Sequence, residues 1–205
     1  MLNTYRLVCF KLKELYICCM KKLGVKERII ETASELFYVA GYNQTGINQI
    51  IAEAGVAKAS MYQHFRSKED IAVAYLQQRH SHWTGNLFDF ISSNKTVSAK
   101  IIGCFDYLNQ WLKEVDYRGC GFQNIFIDLP KDQQKIKDQV VRHKNELRTW
   151  MHNLLLEDGR FNTKEACQLG DEILVLMEGA IILSQIQHNN WPILSAKNTC
   201  KKLIA

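Results

Sequence analysis

Three observations predict an all-α protein. Apolar residues recur at spacings of three and four along most of the chain, no stretch alternates apolar and polar residues for long, and Pro130 and Pro192 are the only prolines in 205 residues. Hydrophobic residues make up 47% and aromatics 10%, which excludes disorder and is enough for a small domain joined to a larger one. The formal net charge of +5 is a mild basic excess, compatible with a nucleic-acid partner but not diagnostic of one. Seven cysteines, at positions 9, 18, 19, 104, 120, 167 and 200, are an odd number without C-x-x-C spacing, so unpaired thiols in a reducing cytoplasm are expected. No segment approaches the roughly 20 apolar residues of a bilayer span, and no membrane partner is expected.

The most informative stretch is INQIIAEAGVAKASMYQHFRSK, residues 47–68. It predicts two very short helices. The first, near 47–54, carries Ile47, Ile50 and Ile51 on one face and Asn48, Gln49 and Glu53 on the other. Gly55 stands where a helix ends in a left-handed residue, and Val56 follows as an apolar anchor. The second, near 57–64, presents Lys58, Ser60, Tyr62 and Gln63 while Met61 and Phe65 turn inward. Helices this short need neighbours to hold them. A short helix that is polar outside and rigidly held is what major-groove entry requires.

Before this pair, residues 24–40 predict a helix with an apolar stripe of Ile29, Ile30, Ala33, Leu36, Phe37 and Ala40. Lys21, Lys22, Lys26 and Arg28 crowd its start against the helix dipole, where a phosphate backbone or plain solvent would accommodate them. Gly41 ends that helix, and Thr45 is a candidate N-cap of the next or, equally, a hydroxyl for a phosphate. Ser67 predicts the N-cap of a fourth helix running to about residue 90, with Glu69 and Asp70 in its first turn.

The ordered pieces in IIETASELFYVAGYNQTGINQIIAEAGVAKASMYQHFRSKEDI, within residues 26–74, resemble the DNA-binding domain of TetR-type bacterial transcriptional regulators. Ala57 and Ala59 stand where that family commonly has Ser and Gly, so a cap hydroxyl is lost without removing the helix. The resemblance implies an N-terminal three-helix helix-turn-helix domain, residues 20–74, followed by a C-terminal helical effector-binding and dimerisation domain, residues 75–205. It also implies that Lys68, at the mouth of the fourth helix, contacts a phosphate. Residues 1–19, MLNTYRLVCFKLKELYICC, precede an ordinary family start at Met20 and are read as upstream frame that is not translated; an amphipathic membrane-surface helix is the alternative. N-terminal mass analysis showing Met1 or Leu2 would contradict the upstream-frame reading.

Further along, Val97, Ile101, Phe105, Leu108 and Leu112 predict a fifth helix over 96–115. RGCGFQN, residues 118–124, resembles a segment that leads into a short sixth helix beside the ligand cavity in one subgroup of the family, and Pro130 is expected to end that helix. Residues 132–156 and 164–187 predict a seventh and an eighth, and Pro192 opens a ninth. The eighth contains EILVLMEGAIILSQI, apolar on more than one side, as expected of a helix that faces both its own core and a second subunit.

Candidate DNA-binding residues are therefore Thr45, Lys58, Ser60, Tyr62, Gln63, His64 and Lys68. Candidate effector-binding residues are Phe105, Trp111, Cys120, Phe122, Asn124, Phe126, His143, Trp150, Leu154 and Met177, bulky or polarizable side chains with a few polar handles, among which Gln123 and Gln185 also count. Candidate dimer residues are Leu174, Met177, Ile181, Ile182, Gln185 and Ile186. No cofactor, metal or catalytic residue is expected. His80 and His82 lie two apart on a helix and point in different directions, and no H-E-x-x-H, G-x-S-x-G or glycine-rich phosphate loop occurs. The expected function is a cytoplasmic, homodimeric regulator that binds palindromic double-stranded operator DNA and is released by a small apolar or weakly polar effector. A helical protein-interaction module without DNA affinity is the first rival. A small-molecule-modifying enzyme is the second.

Overall fold

The computed structural model describes residues 23–205. The expectations placed on residues 1–19, on Met20 and on the basic pair Lys21 and Lys22 lie outside the described residues. Among the described residues there are nine helices and no strand: α1 (Val25–Val39), α2 (Ile47–Glu53), α3 (Lys58–His64), α4 (Lys68–Ile91), α5 (Val97–Glu114), α6 (Gly121–Ile127), α7 (Gln134–Leu156), α8 (Thr163–Gln187) and α9 (Trp191–Leu203). None of them is long and apolar enough to cross a membrane. The chain forms two compact units, the first running to Tyr75 and including Asp128–Lys135, the second made of Leu76–Ile127 and Ile136–Ala205.

In the first unit α1 buries Ile29, Thr32, Ala33 and Phe37 and packs against α2 and α3. Ile50 of α2 and Met61 of α3 are fully buried, while Ile47 and Ile51 remain partly exposed. Each short helix thus holds its place through one inward anchor, with Phe65 closing the turn after α3. Gly41 and Gly55 take φ of 92° and 60°, left-handed conformations that let the chain turn sharply after α1 and α2. Ser67 caps α4 by accepting from the Asp70 amide at 3.1 Å.

Thr45 does not cap α2. The N-cap is Gly46, and the Thr45 hydroxyl donates back to the Gly41 carbonyl at 2.8 Å from a position with 0% exposure. Arg28 also turns inward to the protein, its guanidinium donating to the Gly55 carbonyl at 3.3 Å. The return segment Asp128–Lys135 is tied down at both ends. The Asn43 amide donates to Asp128 Oδ2 at 2.8 Å, the Tyr42 hydroxyl to Gln133 Oε1 at 2.7 Å, and Lys135 Nζ to Asp70 Oδ1 at 2.6 Å. No local pattern marks this segment's place, and α6 ends at Ile127, before Pro130.

The second unit is a helical bundle in which α9 packs on α5 and α8, and α5 on α8. Its core includes Leu87, Ile101, Phe105, Leu108, Leu112, Ile136, Ile173 and Ile193, all fully buried. A capping box starts α8, with Asn162 accepting from the Glu165 amide and Glu165 accepting from the Asn162 amide. Gly170 lets α8 approach α7, since a Cβ there would stand 2.5 Å from the His152 ring. Arg148 and His152 both bond Asp171, and the Arg148 contact holds the carboxyl down at about 2.

Candidate nucleic-acid interface and ligand pocket

The exposed face of α3 is polar. Lys58, Gln63 and His64 are exposed, Tyr62 is 45% exposed, and Ser60 is half-buried on the same short helix. These five side chains project from a helix whose opposite side is locked by Met61. The helix is only seven residues long, so its direction is fixed by packing on α1 rather than by its own propensity.

Two of the seven expected DNA contacts are placed otherwise. Thr45 is fully buried and its hydroxyl is committed to Gly41, so it is unavailable to a phosphate. Lys68 Nζ donates to the carbonyls of Tyr42 at 3.0 Å and Thr45 at 3.2 Å and sits 4.1 Å from the centre of the Tyr42 ring. Desolvation lowers its pKa against the pull of Asp128. The ammonium therefore fastens the α1–α2 turn. Lys68→Met is expected to lower unfolding free energy by about 1–3 kcal/mol, since two carbonyls lose a charged donor. Thermal or urea melts of the two proteins check this, and coincident curves would contradict it.

The second unit encloses a cavity lined by Arg79, Trp83 and Leu87 of α4, Trp111 of α5, Cys120, Gly121 and Phe122, then His143, Lys144, Leu147, Trp150 and Met151 of α7, and Leu174, Met177, Glu178 and Ile181 of α8. Its free volume is about 30 Å³, on the order of a single water site, so the side chains nearly fill it. Of the candidate effector residues, Trp111, Cys120, Phe122, His143, Trp150 and Met177 line this cavity. Phe105 and Leu154 are buried core residues away from the lining, and Phe126 is 48% exposed at the surface. Asn124 is engaged elsewhere: its amide donates to the Arg118 carbonyl at 2.9 Å and its carbonyl accepts from Gln185 at 3.1 Å. Of α6 only Gly121 and Phe122 line the cavity.

Lys144 and Glu178 were not anticipated. Lys144 Nζ reaches both Glu178 oxygens at 2.7 Å and lies 3.8 Å from Cys120 Sγ, while Gln123 Nε2 donates to Glu178 Oε2 at 2.6 Å. Burial disfavours the charge on Lys144, but Cys120 and Glu178 outweigh it and raise its pKa. The pair lies 34 residues apart in sequence, a separation at which no local pattern signals contact.

His143 is 3% exposed, stacked on Phe122 with ring centres 3.7 Å apart, and its Nδ1 lies 2.8 Å from His80 Nδ1. Burial, helped by the charges of Lys144, His80 and Arg79, pushes its pKa from 6.5 down to about 3. The unfolded chain therefore binds a proton near pH 6.5 that the folded chain refuses until about pH 3, so this residue makes stability fall as pH drops through that window. The slope contributed by one such proton is about 1.4 kcal/mol per pH unit. Urea melts from pH 7.5 to pH 5 should show the gap between wild type and His143→Phe shifting in the variant's favour with acidity; a gap independent of pH would contradict the assignment.

The expected dimer residues divide between two faces of α8. Leu174, Met177 and Ile181 turn into the cavity of their own unit, and Gln185 is bonded to Asn124. The outward stripe is instead Val175, Gly179, Ile182, Leu183 and Ile186, with Val175 71% and Ile186 69% exposed. On α9, Trp191 and Leu194 add exposed apolar surface.

Comparisons with known proteins agree with this architecture. Residues 29–75 match the model of the bacterial regulatory proteins of the tetR family, and residues 98–199 match that of the LmrA/YxaF-like transcriptional regulator C-terminal domain. The chain is 27% identical to the HTH-type transcriptional regulator YxaF of Bacillus subtilis over 176 residues, 82% of this chain and 89% of that protein. It is 25% identical to the HTH-type transcriptional repressor NemR of Escherichia coli over 190 residues, 88% of this chain and 94% of that protein. A crystal structure of a TetR-family transcriptional regulator from Streptomyces coelicolor superposes with a TM-score of 0.78 at 21% identity, covering 88% of each chain. With its helix-turn-helix unit and its second helical unit each matched, the chain belongs to the TetR family of bacterial transcriptional regulators, DNA-binding proteins of helix-turn-helix type.

Proposed function

We propose that this protein is a homodimeric repressor that grips a palindromic operator with two copies of α3 and lets go when a small, largely apolar molecule enters the cavity of its second unit. The observation that carries this reading is the division of α3, with Met61 fully buried and Lys58, Tyr62, Gln63 and His64 exposed. Lys58 supplies a phosphate-directed charge, and Tyr62 with Ser60 offers a ring and a hydroxyl to base edges. Two such helices enter successive major grooves when they stand about 34 Å apart. Footprinting on the DNA upstream of the protein's own coding region tests this: a twofold-symmetric protected segment supports it, and uniform or absent protection contradicts it.

Release follows from the cavity's size. A free volume near 30 Å³ cannot hold an organic ring, so an effector binds only a conformation with a displaced wall, and that difference in affinity is what shifts the equilibrium. The wall is continuous in sequence with the DNA-reading unit. Helix α4 gives Trp83 and Leu87 to the cavity and Ile71, Ala72 and Tyr75 to the first unit's core. Segment Asp128–Lys135, held by Asn43, Tyr42 and Asp70, joins α6 to α7, which both line the cavity. Operator DNA should weaken effector binding by the same factor by which effector weakens operator binding. Asp128→Ala together with Lys135→Ala should shrink both factors equally, by about 1 kcal/mol or more of coupling energy. Titrating each ligand in the presence and absence of the other measures it, and unequal factors or an unchanged coupling would contradict this route.

A further inference from the structure

An effector too large for the closed cavity needs a wall that yields, and the side chains of the wall differ in how firmly they are held. Lys144 and Glu178 grip each other at 2.7 Å, with Gln123 on the same carboxylate. Trp83 is packed edge-on against Tyr107, Trp111 and His143, with ring centres 5.6 to 6.1 Å apart. Trp150 of α7 is held more loosely. Its ring is only partly buried and packs on Phe88 of α4, with centres 5.1 Å apart, and Phe88 is itself 40% exposed. The indole makes no hydrogen bond to a described residue.

Trp150 also borders a second space. Residues between 138 and 153 of α7 line an open hollow of about 650 Å³, and Trp150 is the residue common to both linings among the described residues. One indole thus stands between a closed space of about 30 Å³ and an open one. A change of rotamer moves a ring of this size without breaking a backbone hydrogen bond of its helix, and would join the two. The space vacated has the shape of a flat fused ring and is bounded by Leu87, Trp83 and Phe122. The hollow is different in kind. Asn145, Thr149 and Asn153 offer it donors and acceptors, while Arg142 and Glu146 balance each other in sign. A polar group would lose its hydration in the cavity but keep its hydrogen bonds in the hollow.

We propose that Trp150 is the movable wall of the effector site, and that the effector is an uncharged amphipathic molecule whose flat apolar body takes the place of the Trp150 indole while its polar end stays in the hollow on α7. This proposal rests on the effector-site reading above and makes it more specific. The Phe88 contact belongs to the closed arrangement alone, so it holds the binding-competent population down.

The test uses the full chain and two fluorescent probes that share a naphthalene body: dansylamide, which carries a polar sulfonamide end, and N,N-dimethyl-1-naphthylamine, which lacks it. Wild type is expected to bind dansylamide about fivefold or more tightly than the second probe, and Asn145→Ala with Asn153→Ala to lose that margin. Phe88 lies outside the cavity lining, yet Phe88→Ala is expected to speed dansylamide association about threefold or more and to tighten its binding by a similar factor. A merely structural Phe88 would leave both unchanged or weaken binding. Fluorine NMR of protein labelled with 5-fluorotryptophan, its signals assigned by single Trp→Phe variants, reads the wall itself. Saturating dansylamide should open the Trp150 signal to broadening by a soluble paramagnetic reagent while Trp83 and Trp111 stay protected. A Trp150 signal as protected with ligand as without, or association sped by Leu174→Ala and not by Phe88→Ala, overturns the proposal. Equal affinity for the two probes overturns the ligand class. If dansylamide binds and weakens operator affinity with Trp150 unmoved, the effector site stands and this assignment falls. If it binds neither wild type nor Phe88→Ala, both fall.

Discussion

Val175→Glu combined with Ile186→Glu is expected to convert the protein to a monomer and to abolish operator binding at concentrations that saturate wild type. Both residues are about seven-tenths exposed on the outward stripe of α8, where a second copy would cover them together with Leu183, Trp191 and Leu194. Burying an aliphatic side chain of this size contributes about 1.5–3 kcal/mol, and a twofold interface counts each substitution twice. Four carboxylates left to desolvate near one another add to the loss. Together these weaken dimerisation by at least ~100-fold. Sedimentation at micromolar concentration reads the outcome directly. Met177→Ala, on the opposite face of the same helix, should leave the dimer intact and alter effector affinity instead. A double variant that remains dimeric would move the interface elsewhere.

Tyr62→Ala and Lys58→Ala are expected to fail in different ways. Tyr62 stands exposed at the middle of α3, where its loss should compress the ratio between operator and random duplex by about 1–3 kcal/mol, roughly ten- to a hundredfold. Lys58 begins the helix as an exposed charge, and its removal should weaken all duplexes alike while reducing the salt slope by about one counterion. Neither side chain is buried, so helicity by circular dichroism should be unchanged in both. If the two variants behaved alike, the separation of reading from anchoring on this helix would be wrong.

The first unit was legible in the sequence wherever local rules act. Gly41 and Gly55 mark their turns because a left-handed residue is a local requirement, and Met61 could be placed inward from spacing alone. Thr45 shows the limit. A threonine just before a helix satisfies the same pattern whether it caps the helix or bonds backward to Gly41, and only the buried geometry chooses. The family resemblance gives Lys68 a phosphate contact, and no local pattern shows that the Tyr42 and Thr45 carbonyls converge on it from 26 and 23 residues away. In α8 the excess of apolar residues was visible, but a helix apolar on two sides has no phase that says which side faces home. Met177 and Ile181 went inward, Val175 and Ile186 outward. Aromatic residues destined for the cavity were found by bulk, which also selected the core residues Phe105 and Leu154 and the surface residue Phe126. Lys144, Glu178 and the His80–His143 contact depend on pairings between helices, which no periodicity encodes.

The central claim is that α3 reads operator DNA. Its most direct test is a titration of wild-type protein against a duplex from its own upstream region and against a scrambled duplex of the same composition, repeated at several salt concentrations. The account predicts a palindromic segment bound at least about a thousandfold more tightly than the scrambled one, with affinity for both falling steeply as salt rises. Equal affinity for the two duplexes across the salt series would contradict it.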